Sequence, residues 1–529
     1  MRAAAVRAAT IQAAAVRAAT LWIAAAVLIL GCSSGDDREQ DATTRPTLEL
    51  STALPIPTTA PVDMPAAGAE DPIDAGRPTP TPTPQWWVDP SSVGENFGEV
   101  DGLLTFRGNP TRTFYGRGPV PRDPAVDWRF GEPDELCSFS TVGAETTKWC
   151  GTGWTGQPAI FEREGRRWVV FGSYRPAVHF LDAATGERIL ADLEVGDLIK
   201  GSVTIDPDGY PLVYFGSRDG LFRVVAFDGP SPRELWQLSA DSVEPTLWND
   251  DWDGVALVVD DYLFVGGENS NLHIVRLHRG YDDDGAVQVE PELVFHAPGW
   301  DDELLNDLGD SNVSIETAIT IVGNSLWFAN SGGLVQAWDI GGLRDGVPPE
   351  RVFRFWTGDD TDASVVVDDE GFAYVGVEIE RALWHGVQLG QLIKLDPTKP
   401  DDPVVWSRDL HVRVPDGIWA TPAIHRDVLY VPTNEGNLHA IDRETGATRW
   451  QTKLQGPVWS SPVVVDDVLI QAACDGTIHA WDVAETDRDP IELWTITLPW
   501  CVESTPAVWG GQIIVGHRRG EVWAIGEAG

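Results

Sequence analysis

Positive charge is scarce in this chain: 38 Lys and Arg stand against 81 Asp and Glu, a formal charge of −43 at pH 7. Binding to a phosphate backbone needs clustered basic residues, so nucleic acid is excluded as a partner. Long hydrophobic runs are missing too. The run LWIAAAVLIL at 21–30 falls well short of the roughly 20 residues that a spanning helix needs. Cysteine is rare, five in 529 residues, and forms neither a Cys-Cys pair nor the Cys-x-x-Cys-His site that attaches haem. Gly-x-Ser-x-Gly, His-Glu-x-x-His and the glycine-rich phosphate loop are also absent, which removes three common enzyme signatures.

What the chain does contain is 24 Trp, 53 Gly and 43% hydrophobic residues, ample material for a core. Many tight turns and large flat side chains point to an all-β protein. A length of 529 residues leaves two or three small domains, or one large repeat domain, open. The acidity reads first as solubility and colloidal repulsion, and second as a capacity to bind cations.

The first twenty residues carry Arg2, Arg7 and Arg17 and repeat AAAVRAAT at 3–10 and 13–20, ahead of the apolar run and Gly31-Cys32-Ser33-Ser34. This fits an export signal. It resembles the lipobox of bacterial lipoproteins, although Leu30 stands where a small residue is usual. The resemblance implies a signal peptide over 1–31, a diacylglycerol on Cys32, and a body held outside the cytoplasm on a bacterial membrane; an uncleaved anchor is the other reading. Residues 32–99 read as the lipidated Cys followed by a disordered Pro/Thr-rich linker containing RPTPTPTPQ at 77–85. Proline fixes φ and removes donors, so this stretch neither pairs into a sheet nor forms a helix.

From about residue 100 the chain repeats. ATPAIHRDVLYVPTNEGNLHAIDRETGATRW (420–450), SSPVVVDDVLIQAACDGTIHAWDVAETDRDPIELW (460–494) and STPAVWGGQIIVGHRRGEVWAI (504–525) each alternate apolar strands with short polar or Gly-bearing turns. Pro422, Pro462 and Pro506 are spaced by 40 and 44 residues, the period of a four-stranded propeller blade. Similar first strands begin near Pro158, Ser202, Val255, Thr317, Ser364, Thr421, Ser461 and Thr505, which makes eight. Ala440, Asp442, Thr445, Gly446 and Trp450 spell A-x-D-x-x-T-G-x-x-x-W, which resembles the PQQ-like (pyrroloquinoline-quinone-type) β-propeller repeat over roughly residues 100–529. The resemblance implies an all-β, eight-bladed propeller of four-stranded antiparallel blades, in which each Trp lies across a blade junction on the neighbouring Thr-Gly turn. The last unit stops after its third strand, so Val126–Phe130, with Trp128, is expected to complete the eighth blade and abolish two sheet edges.

With Cys32 set aside, blade geometry brings Cys474 to Cys501 and places Cys137 and Cys150 in one loop, so disulfides 137–150 and 474–501 are expected. Trp154, Trp248, Trp252, Trp300, Trp419, Trp459 and Trp500 precede inner strands; they form either an aromatic collar for a ligand or packing between blades. The long polar segment 291–317, with His296, Trp300, Asp302, Asp310, Asn312 and Glu316, is the leading candidate for a binding loop. Asn249, Asp251 and Asp253 begin like a calcium loop, but Asp260 at the twelfth place falls in a hairpin turn. Quinoprotein dehydrogenases share the ring and hold calcium-bound pyrroloquinoline quinone, yet none of their ligands or their catalytic Asp carries over residue by residue. The expectation is a monomeric, lipid-anchored, extracytoplasmic module that binds a protein partner or small ligand on its loop face, with no catalytic residue or cofactor. A quinone-dependent oxidoreductase using PQQ and calcium is the alternative.

Overall fold

The computed structural model describes residues 85–142, 145–153, 156–411 and 416–529. Cys32, the signal region, most of the linker and Trp154 lie outside them. Trp86–Gly529 forms one compact unit. Eight antiparallel sheets follow one another around a ring, with inner strands Ala159–Arg163, Thr204–Ile205, Leu257–Val259, Thr320–Val322, Val366–Val367, Ala423–His425, Val463–Val465 and Ala507–Trp509. We number the blades 1 to 8 in that order. Alternating apolar residues let each sheet pack a face on both neighbours, so the core is a series of layers between blades.

Ring closure is as expected. Pro124–Phe130 pairs antiparallel with Glu521–Glu527 as the outer strand of blade 8, with Val126 opposite Ile525 and Phe130 opposite Val522. The Trp docking holds at the two Thr-Gly turns, Gly446 and Gly186. Gly446 (φ 71°) lies under Trp406 of blade 5, where an added Cβ would come 2.7 Å from the indole, and Trp406 Nε1 donates to the Arg443 carbonyl at 3.1 Å. Trp128 makes the same contact over Gly186 and donates to Ala183 at 2.8 Å. Disulfides join Cys137 to Cys150 and Cys474 to Cys501.

Two expectations are corrected. Ordered structure begins before residue 100: Trp87 is buried, donates to the Ile340 carbonyl at 2.7 Å, and stands edge-on to Tyr262 and Phe264. Indole burial against blades 3 and 4 outweighs the polar composition around it. Segment 291–317 is not one loop. Glu292–Pro298 is the outer strand of blade 3, which places His296 opposite His273, and only then does the helix Asp302–Leu308 begin, capped by Asp301. The actual insertion is the hairpin Gly280–Tyr281 with Val287–Gln288, which delays the fourth strand.

One feature has no sequence precedent. Residues 102–117 leave blade 1, where Gly102–Leu103 pairs with its inner strand, and return along blade 8, where Gly116–Arg117 runs parallel to Val508 and Trp509. Between these points the segment touches blades 2, 3, 4, 6 and 7 through Thr204, Ala256, Ile319, Thr421 and Pro462. Only the axis of a ring is within reach of so many blades. The segment therefore fills the channel.

Candidate functional site

In an antiparallel four-stranded blade, the connection from the second strand to the third and the connection onward to the next inner strand lie at the same end. One face of the ring therefore gathers sixteen connections around the axis. The segment four residues ahead of each inner strand lines the mouth on this face. In blades 2 to 8 it carries Lys200, Asp253, Glu316, Asp362, Trp419, Trp459 and Glu503. Two residues deeper, backbone N–H groups of Gln157, Ala318, Ser364, Thr421 and Ser461 donate to the hydroxyls of Ser202, Ser364, Thr421, Ser461 and Thr505 in the following blade, at 2.9–3.1 Å. This belt explains the Ser or Thr two places before the inner strands of blades 2, 5, 6, 7 and 8.

Below the belt the axial segment closes the floor. Arg107 and Arg112 are fully buried and face carbonyls instead of carboxylates. Arg107 donates to Thr421, Pro422 and Pro462 at 2.9–3.2 Å and stacks on Tyr115. Arg112 donates to Ile319 and Phe106. Burial, reinforced by Arg107, pulls the Arg112 guanidinium down to about 9, still charged at neutral pH. Carbonyl dipoles at the starts of inner strands carry both charges.

The mouth holds two groups of carboxylates. In the first, oxygens of Asp253, Glu268 and Glu316 lie within 4.8 Å of one another, and Lys200 bonds Asp253 directly and stands 3.5 Å from Glu268. Arg218 beside them pairs with Asp251 at 2.5 Å. Burial and Arg218 oppose the charge on Lys200, but Asp253, Glu268 and Glu316 outweigh them and hold its ammonium well above the usual lysine range. One lysine does not neutralise three acids: burial and then Asp253 push the Glu268 carboxyl well up.

The second group is Asp360, Asp362 and Glu378, again with oxygens within 4.8 Å of one another. Its nearest cation, Arg381, is 3.9 Å from Asp360 and is spent on Asp310 and the carbonyls of Ser331 and Asn312, at 2.7–3.0 Å. Burial pushes all three carboxyls well up, with Glu380 next in importance for Asp360, Asp360 for Asp362, and Asp362 for Glu378. The groups are joined by Ser314 and Ser331: Ser314 reaches Glu316 at 2.9 Å, Ser331 reaches Asp362 at 3.2 Å, and the hydroxyls are 2.8 Å apart.

The residues singled out by sequence separate accordingly. Asn249, Asp251 and Asp253 do not converge on a calcium ion: they bind Glu268, Arg218 and Lys200 respectively, because protein cations already sit among these acids. Glu316 is at the mouth, Asp310 and Asn312 anchor Arg381, and Asp302 is exposed on the helix. Trp252 is packing, 1% exposed between Phe222 and His273, and Trp300 packs beside Leu304. Trp419 and Trp459 face each other with centroids 5.6 Å apart. Trp248 and Trp500 stand out of the mouth face, joined there by Trp384 (74% exposed) and Phe139 (70%), which the sequence did not single out.

Residues 390–528 match the sequence model of the family described as outer membrane protein assembly factor BamB. Among solved structures, a europium-containing methanol dehydrogenase is similar at 12% identity and a TM-score of 0.55, over 82% of this chain and 99% of that one. The quinohemoprotein alcohol dehydrogenase from Comamonas testosteroni is similar at 14% identity and a TM-score of 0.52, over 84% and 83%. No curated protein sequence matches the chain. The fold is that of the PQQ-like propeller repeat proteins.

Proposed function

We propose that this PQQ-like propeller is an extracytoplasmic binding module, lipid-anchored through Cys32, whose mouth face receives a basic segment of a protein partner. The observation that carries the reading is the combination of a closed floor with an acidic mouth and exposed aromatics on the connections around it. Phe139, Trp248, Trp384 and Trp500 offer flat apolar contact and cation–π faces, while the carboxylates set the sign of the partner's charge. Two disulfides suit an oxidising compartment. Among the described residues no helix is long and apolar enough to cross a membrane; attachment through a lipid on Cys32 rests on the lipobox resemblance of 30–34. The family description over 390–528 names an assembly factor, in keeping with a scaffold role.

The test is titration of the protein with Lys/Arg-rich peptides that carry interleaved aromatics. Saturable binding, weakened about tenfold by Trp384→Ala with Trp500→Ala and by raised salt, is the expected result. Binding indifferent to both would overturn the reading. A bound chromophore with dye reduction, on adding pyrroloquinoline quinone and calcium, would replace it with the oxidoreductase.

A further inference from the structure

We infer that Asp360, Asp362 and Glu378 form a binding site for a calcium-class cation, built across the two connections of blade 5. Asp360 and Asp362 lie on the approach to its inner strand, and Glu378 follows its second strand. Their oxygens lie within 4.8 Å of one another, a separation that one ion with bonds of roughly 2.4 Å can span.

The second observation is independent of the clustering. Asp360 is 5% exposed and Glu378 is 2% exposed. Asp360 turns Oδ2 toward Arg381 at 3.9 Å, and Glu378 turns Oε2 toward the Asn434 amide at 3.5 Å. That leaves Asp360 Oδ1 and Glu378 Oε1 buried with no hydrogen-bond partner among the described residues. Buried carboxylate oxygens are ordinarily hydrogen-bonded, paired with a cation or bound to a metal. In the neighbouring group Lys200 bonds Asp253 and forms an ion pair with Glu268 at 3.5 Å; among the described residues no lysine stands beside this one.

The donor set is oxygen only, with no imidazole or thiolate, which favours a hard cation over zinc or copper. Irregular spacing on two loops suits calcium, which accepts variable geometry, better than magnesium, which demands an octahedron. Bound there, the ion ties the 360–362 connection to 378–384 and so steadies the segment that presents Trp384. This inference does not rest on the identity of any partner.

The full chain, stripped with a chelator, is titrated with Ca²⁺ by calorimetry and with Tb³⁺ by tryptophan-sensitised luminescence. One ion per chain is expected, with affinity reduced at least tenfold by Asp360→Asn and by Glu378→Gln. Asp282→Asn, in the exposed hairpin of blade 3, should leave it unchanged. Both mouth substitutions keep shape and remove repulsion, so melting in chelator confirms folding. Ca²⁺ should raise the melting temperature of the parent protein and leave those of the two variants unmoved. Absence of stoichiometric binding, or binding that both substitutions leave intact, would overturn the site.

Discussion

The carboxylates on the blade 2–4 side of the mouth and those on the blade 5 side have matching geometry, three acids each within 4.8 Å, but the first group encloses Lys200 while the second has, among the described residues, only a distant, committed Arg381. In a low-dielectric mouth this difference decides what each half needs. The Lys200 half carries a cation of its own, which offsets part of its charge from within the fold. The other half is complete only with something positive added from outside.

The sharpest way to break this comparison is Lys200→Met. It should lower unfolding free energy by about 3–5 kcal/mol at pH 7, the usual cost of stripping one partner from a buried ionic group, measured by urea denaturation. A loss below about 1 kcal/mol would show that the two halves are equivalent. Acid offers a second handle on the Lys200 half. Burial pulls His273, beside Trp252, down to about 3, so the unfolded chain takes up its proton near pH 6.5 and the native ring does not. Stability from this residue is full above pH 6.5 and is lost as pH falls toward 3, by a few kcal/mol at ~1.4 kcal/mol per unit. His273→Gln should flatten that part of a pH–stability curve. Glu378→Gln should act with the opposite sign to Lys200→Met, stabilising the chelated protein by roughly 1 kcal/mol through relief of like-charge crowding. Destabilisation in its place would mean that Glu378 is already compensated. The smallest effect belongs to the rim: Trp500→Ala should change stability by less than about 0.5 kcal/mol while weakening peptide binding.

Much of this architecture was legible in the chain. Eight inner strands followed from a repeat near 40 residues, because each blade is one local strand–turn–strand unit. Closure by Val126–Phe130 followed from a missing fourth strand, and the disulfides from strand direction. The candidate site was less legible. Asn249-x-Asp-x-Asp reads as calcium-binding until Arg218 and Lys200, distant in sequence, are seen among its acids. The outer strand Glu292–Pro298 was hidden because the 280–288 hairpin displaced it from the expected spacing. Lys200, Glu268, Asp360 and Glu378 belong to no compact motif. Lys200 shows one sequence signal, register, a polar or aromatic residue four places before successive inner strands; Glu268 and Glu378 instead stand two places after the second strands of blades 3 and 5.

The sequence by itself determined what depends on neighbours along the chain: β-strands, turn chemistry, repeat number, and the Ser/Thr that form the axial belt. Only the tertiary structure decided which charges meet. Closing the ring brings residues from different blades to a single mouth, drives Arg107 and Arg112 into its floor, and gives one set of acids a lysine while leaving the other without. Local sequence sets the shape of each blade, but electrostatic balance depends on distances that exist only after the wheel is closed.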